Sequence, residues 1–366
     1  MDRISRTAAP TKYARLSPWP ARAIIVVMVI LVGLTVLPHA PLHIPGERTH
    51  WGEQVKGYFD ENLYADILHD TEGGANYYEA AFREQRAHNY PTRPVFAVRE
   101  PTLTYCLRLL HFQILRYALL LTLYAAIIIK LLHITREYQA TGPVRIAAIS
   151  TAVSGLSIVG AIGAIYMTEV WAALLIAASL VYYQAKSFWA SVLLGLLACL
   201  FRELALPYLL VMTLFAFTQE RKAETLAWIG AILVFLAFYA FHAIQVSQFY
   251  RPGDLASQGW VRMNGWNFVV AAARWNVLLN PLPAPAVALA TCLAVIGLAG
   301  SLDERAQRTA YVTVGYMAGL CVFGRLENYY WGELYTPLVP LGWILAPSAL
   351  RDLLSRARPA INEMSS

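Results

Sequence analysis

Long apolar runs alternate with short polar connections along most of the chain, and the runs have the length that a lipid bilayer sets, about 20 residues for one helical crossing. Ten are predicted, at approximately residues 23–38, 112–133, 145–166, 169–184, 187–201, 204–218, 225–244, 283–301, 309–324 and 335–350. Several are short for a straight crossing, so tilted or re-entrant pieces belong to the expectation. The fold class is therefore an all-α polytopic membrane protein of about ten transmembrane helices. One domain, 23–350, sits between basic tails at 1–22 and 351–366.

Three polar stretches are too long or too charged to be simple turns: 39–111, 245–282 and "RLENYYWGELY" at 325–335. In the first, Val55, Phe59, Leu63 and Ile67 recur every four positions, with Glu53, Lys56, Asp60, Glu61 and Asp66 on other faces. That spacing predicts an amphipathic helix over 52–69, lying in the membrane interface. Gly73 and Gly74 stop it. Asn76, with Glu79 three residues on, is a variant capping box that opens a second helix carrying Tyr77, Tyr78, Ala81 and Phe82. "NYPTRP" ends that helix. Glu100 and Pro101 open a third helix that feeds the second crossing. Asp70 and Glu72 thus fall at the junction of two interfacial helices, although two acids at this spacing are by themselves an ordinary solvated pair.

Composition agrees with the pattern. Of 366 residues, 58% are hydrophobic and 14% charged, and mean hydropathy is +0.47, where soluble domains carry about 25% charged residues. The net charge of +6 lies in the tails and short connections. No basic patch is interleaved with aromatics, which excludes a nucleic-acid partner. Positive residues stay on the cytoplasmic side. Arg3, Arg6, Lys12, Arg15 and Arg22, then Lys130, Arg136 and Arg145, Lys186, Arg221 and Lys222, Arg305 and Arg308, and Arg351, Arg356 and Arg358 all fall there under ten crossings. Both termini are then cytoplasmic, the first run is a retained anchor and not a signal peptide, and the three polar stretches face outward. Long ordered loops tend to be functional, so chemistry is expected on that face.

Other classes lack their marks. Cys106, Cys199, Cys292 and Cys321 lie in or beside apolar runs, as packing residues do. No zinc spacing, P-loop or dinucleotide fingerprint is present, so no nucleotide cofactor is expected, and no internal repeat suggests a duplicated transporter.

Asp70-Thr71-Glu72, "NYYEAA" at 76–81, "YPTRPVFAVREP" at 90–101, "FRELALPYLL" at 201–210 and "GRLENYYWGELYTPLVPLGW" at 324–343, set in this topology, resemble the GT-C superfamily of polyprenol-dependent glycosyltransferases. Protein O-mannosyltransferases and aminoarabinose transferases belong to it. The resemblance implies inverting transfer of a sugar from a polyprenyl-phosphate donor to a glycan, lipid or protein acceptor. The setting is the extracytoplasmic face of a bacterial inner (plasma) membrane. Such a reaction needs a carboxylate to take the acceptor's proton and positive charge on the departing phosphate. Asp70 fits the first role. Glu72 orients it or shares an optional Mg2+ or Mn2+ with it. Asp60-Glu61 is a competing acidic pair, since the family's acid often follows the first helix closely and Asp70 lies about thirty residues past Pro38. Arg202, Arg325 and Arg251 are candidates for the phosphate, because a guanidinium grips it bidentately; Glu203, Tyr329 and Tyr78 accompany them in the substrate site. Each arginine also has an ordinary reading as an ion-pair, anchor or loop residue.

His111 and Arg116 enter the second crossing and carry a weak functional presumption, whereas His242 reads as a core residue. Trp260, Trp266, Trp275 and Trp331 form an interfacial belt or stack on sugar. An acyl or phospho-group transferase remains an alternative, requiring a catalytic histidine such as His111 or His133. A transporter would require polar helix centres, and these centres are apolar.

Overall fold

The computed structural model describes residues 10–37, 58–137, 141–160 and 163–358. Among these the structure is helical, without a strand; two isolated bridges, Arg93 with Ala256 and Val261 with Phe323, are the only β pairing. The helices are α1 (Pro18–Leu34), α2 (Asp60–Glu72), α3 (Tyr77–Ala87), α4 (Thr102–Leu109), α5 (Gln113–Glu137), α6 (Gly142–Gly155) and α7 (Thr168–Val181). They continue with α8 (Trp189–Phe201), α9 (Leu206–Thr218), α10 (Lys222–Gln248), α11 (Gly265–Ala273), α12 (Ala284–Gly300), α13 (Glu304–Val322) and α14 (Leu341–Ala357). The helices α5 and α10 are long and apolar enough to cross a membrane, and α1, α7, α8, α9 and α12 are apolar but shorter.

The long helices run between two ends marked by different polar contacts. At one end Thr11 is bonded to Asp352, Lys12 to Gln307, Glu137 to Arg305, and Arg221 to Glu304. Here α1, α6, α8, α10 and α13 start, and α5, α7, α9, α12 and α14 finish. At the other end Glu169 opens α7, Arg202 closes α8, and Arg86 donates to the carbonyl of Phe249, the C-cap of α10. The short helices α2 to α4, α11 and a 3-10 segment, Leu326–Leu334, gather at this second end. Helix α7 is buried along its whole length and forms the axis of the core.

Small residues bring α12 and α14 together. A Cβ at Gly342 would stand 2.1 Å from the carbonyl oxygen of Ala294, and one at Gly297 would stand 2.0 Å from that of Gly342. Close backbone approach of this kind drives helix association where both helices are apolar. Gly342→Ala must push the pair apart, with an expected loss of about 1–3 kcal/mol. Thermal unfolding of the detergent-purified protein checks this, beside Gly33→Ala, whose Cβ meets nothing and which leaves stability unlowered.

The first polar stretch begins as expected and then departs, as do the two later ones. Gly73 ends α2, and Gly74 follows at φ +100; Asn76 accepts from the Tyr78 amide to cap α3, but Glu79 is exposed and makes no reciprocal box. The proposed start of the amphipathic helix, with Glu53, Val55 and Lys56, lies outside the described residues. Helix α4 does not run on into α5, because the chain breaks at 110–112, where Arg116 Nε bonds the carbonyls of Leu107 (3.1 Å) and Leu110 (2.9 Å). The second polar stretch contains a buried helix, α11, whose Phe268 to Ala273 are all inside. Its apolar run is too short to register as a span. Likewise 325–335 is not an exposed loop: Trp331 through Pro340 are buried, and Gly332 lies against the Ala272 backbone of α11.

Arg86 ties α3 to the connection after α10, with Nε 2.8 Å from Asp254 Oδ1 and Nη2 3.0 Å from Oδ2. Those bonds hold the Asp254 carboxyl down at about 2. A free aspartate titrates near 3.9, so the pair's stabilisation is complete above about pH 4 and is lost as pH falls toward 2. Arg86→Gln should flatten this acid limb in melting temperatures recorded from pH 5 to pH 2.

Candidate functional site

Glu169 stands in the first turn of α7, where helical N–H groups favour an anion. Its carboxylate is wholly buried, yet two guanidinium groups reach the same oxygen: Arg99 Nη2 and Arg202 Nε each lie 3.0 Å from Oε1. The Thr168 hydroxyl donates to Oε2 at 3.1 Å. Arg202 sits at the break between α8 and α9 with extended backbone (φ −155), and Pro207 helps restart the helix in the first turn of α9. Its Nη1 pairs with the adjacent Glu203.

Glu100, 1% exposed, lies against Glu203, and neither of its oxygens has a well-aligned hydrogen-bond donor. Burial first, then the negative charge of Glu203, hold the Glu100 carboxyl well above the usual range. Glu333, at the end of the 3-10 segment, is likewise raised by burial and then by Glu169. The guanidiniums of Arg99 and Arg202 thus sit among four carboxyl groups, and burial biases two of these, Glu100 and Glu333, toward the uncharged form, which eases the desolvation of so many ionisable groups in one place.

Helix α2 roofs this cluster. Positions 60, 64, 67, 68 and 71 share one face, and Leu63, Ile67, Leu68 and Thr71 are buried. Asp60, in the first turn, accepts from the Tyr90 hydroxyl at 3.0 Å. Its charge reaches Tyr330, whose phenol is raised by burial first, then by Glu169, and by Asp60 against the lowering effect of Arg99. The Tyr330 hydroxyl lies 3.5 Å from Arg99 Nη2. Glu61 packs against Gly163, whose φ of +77 and lack of a side chain leave the space; a Cβ there would be 2.5 Å from the Glu61 Cβ. A cleft beneath α2 is lined by Tyr64, Arg99, Glu100, Tyr166 and Thr168.

The structure does not bring Asp70 and Glu72 together. Both lie on α2, and helical residues two apart point to different faces. Asp70 pairs with Arg83 on the outer side, and Glu72 pairs with Arg116. Each carboxylate is thus taken up by its own arginine, which removes the geometric basis for an Mg2+ or Mn2+ shared by this pair. Arg251 is exposed and shapes a turn, its amide donating to Asp254 Oδ2 at 2.8 Å. The Tyr78 hydroxyl lies 3.2 Å from His242 Nδ1, and His242 Nε2 lies 3.2 Å from the Val98 carbonyl, which makes both core residues.

Arg325 lies half-buried at the rim of the cluster, its guanidinium over the Trp260 ring at 5.5 Å and Nη1 3.4 Å from the Ser257 hydroxyl. Burial lowers its pKa from the ordinary arginine value. Tyr329 packs on Trp275 at 5.5 Å. Trp331 is buried and Trp260, Trp266 and Trp275 are half-buried, so they line the inside of this end more than its surface. His111 and His133 are both exposed, His133 near the far end of α5, and neither meets the cluster.

Arg99, Glu169 and Glu333 carry no mark of their own in the sequence, and Glu100 reads there only as a helix opener. The available signal was an ionisable residue abutting an apolar run, as in "MTEVWAALL". Fold and site together define an all-helical protein with two membrane-length apolar helices and a buried ionic cluster at one end of its bundle. No protein-family description, curated protein or solved structure matches the chain.

Proposed function

We propose that the chain is an integral membrane glycosyltransferase of the GT-C kind, with ten crossings (α1, α5 to α10 and α12 to α14), that moves a sugar from a polyprenyl phosphate to a hydroxyl-bearing glycan, lipid or protein. The observation that carries the reading is the ionic cluster of Arg99, Glu169, Arg202 and Glu203, set at one end of apolar helices and roofed by the Asp60 face of α2. Ionisable groups at such a depth are costly and are retained where they act. The opposite end gathers Lys12, Arg221, Arg305, Arg308 and Arg356, which favours that end as cytoplasmic and the cluster as extracytoplasmic.

In this reading Asp60, and not Asp70, is the general base. The acceptor oxygen attacks the anomeric carbon, its proton passes to Asp60, and the bond from that carbon to the phosphate oxygen breaks with inversion. Polyprenyl phosphate leaves with the electron pair. Arg325, at the rim beside Trp260 and Ser257, takes the phosphate as a charge-assisted donor. Arg99 and Arg202 are committed to Glu169 and act by positioning the floor of the site. Tyr330 and the buried carboxyls of Glu100 and Glu333 offer hydrogen bonds to the sugar.

The test is transfer by the purified protein from a panel of radiolabelled polyprenyl-phosphate sugars, followed by release of polyprenyl phosphate. Turnover of at least one donor, weakened in Arg325→Ala, is expected. Inactivity on every donor with each acceptor class contradicts the proposal.

A further inference from the structure

The outer faces of α2 and α3 carry a cluster that the transfer reaction does not use. Asp66 from α2 and Glu84 and His88 from α3 each offer one ligand atom, and these atoms lie within 4.8 Å of one another. Glu84 and His88 are four residues apart and so share a face of α3, which turns them together toward Asp66. The Glu84 carboxylate also neighbours Asp70; its Oε1 takes Arg83 Nε at 3.0 Å, and Oε2 faces His88 Nε2 at 3.8 Å. That second separation is too long for a hydrogen bond. The other ring nitrogen, His88 Nδ1, is buried without a hydrogen-bond partner. An imidazole with a buried, unpaired nitrogen, set beside two carboxylates, is a ready ligand set. The ring is also fixed, because Tyr58 stacks on it at a centroid distance of 3.7 Å and donates to Asp66 Oδ2 at 2.7 Å. Ligands oriented by such neighbours are what metal sites use.

We propose that Asp66, Glu84 and His88 form a binding site for a divalent transition metal, of the Zn2+ type, that staples α2 to α3. One imidazole with two carboxylates suits zinc better than Mg2+, which demands an oxygen shell and keeps its waters. A tetrahedral ion with arms of about 2.0–2.1 Å places its ligand atoms roughly 3.3 Å apart, so the three side chains close by an ångström or so, and water fills the fourth position. Arg83 stays with Asp70 and Glu84 Oε1, on the side away from His88. The metal's role is positional: α2 also carries Asp60 at its start, and fixing α2 on α3 fixes that residue over the ionic cluster.

The experiment uses the full chain in detergent, stripped with EDTA and dialysed against Zn2+ or Mg2+, with bound metal measured by mass spectrometry and melting temperature recorded. One Zn2+ per chain, a raised melting temperature and no stoichiometric Mg2+ are expected. His88→Gln and Asp66→Asn should each weaken Zn2+ binding by about tenfold or more and abolish the Zn2+-induced rise. Both positions are at least partly exposed, so loss of their Tyr58 contacts lowers metal-free melting only slightly, and each variant's Zn2+ effect is read against its own metal-free melting; Glu84→Gln provides a third variant should one fold poorly. His111→Gln and His133→Gln leave the uptake intact. Substoichiometric Zn2+ in the wild type, or uptake that survives both His88→Gln and Asp66→Asn, overturns the site.

Discussion

Asp60→Asn is expected to slow sugar transfer by about 10²–10⁴-fold, the usual contribution of a positioned general base, while Asp70→Asn leaves the rate near that of the wild type. The contrast follows from helix geometry. Asp60 lies at the start of α2 on the face turned to the cluster, where Tyr90 donates to it; an asparagine there still accepts that bond but takes no proton. Asp70 lies on the outer face with Arg83, and its loss relaxes only a partly exposed ion pair, which contributes little. Initial rates at saturating donor, with melting temperatures to show that both variants are folded, check the result. Equal loss in both variants, or loss in Asp70→Asn alone, returns the catalytic role to Asp70.

The second large effect concerns Glu169. Replacing it with glutamine leaves Arg99 and Arg202 buried without the carboxylate they share, and breaking a buried ion pair from one side costs about 3–5 kcal/mol. The double variant Glu169→Gln/Arg99→Met is expected to recover part of that loss, because removing both charges also removes the desolvation they demanded. Denaturant or thermal unfolding of the two variants in one detergent measures this. A Glu169→Gln protein as stable as the wild type shows that the cluster is open to water and is not the dry floor described here.

Much of the framework was legible because a long apolar run needs no partner to announce itself. The expected 112–133 and 225–244 are the cores of α5 and α10, and 283–301 is α12 to within a residue at each end. The glycines after α2 and the asparagine cap of α3 are local signals, and they were read correctly. The short buried pieces were not: α11 and the 3-10 segment Leu326–Leu334 owe their burial to each other, as Gly332 against Ala272 shows, and nothing within either stretch encodes that contact.

The site divides along the same line. Arg202 beside Glu203 was visible as a charged pair at the end of an apolar run. The convergence of Arg99 and Arg202 on Glu169 joins three distant stretches, and no spacing along the chain expresses it. Asp70-Thr71-Glu72 drew the eye as a motif, yet once α2 runs to Glu72 its two acids point apart. Asp60 offers a carboxylate on the face turned to the cluster.

The most direct test of the central claim, that the roofed ionic cluster is where a lipid phosphate is handled, is a structure of the full protein with polyprenyl monophosphate bound. The phosphate is expected at the rim between α2 and the 3-10 segment, within hydrogen-bond distance of the Arg325 guanidinium and with Asp60 across the cleft. A phosphate seated at the opposite end, on Arg221 or Arg308, or on the outer face of α2 beside Arg83, contradicts it.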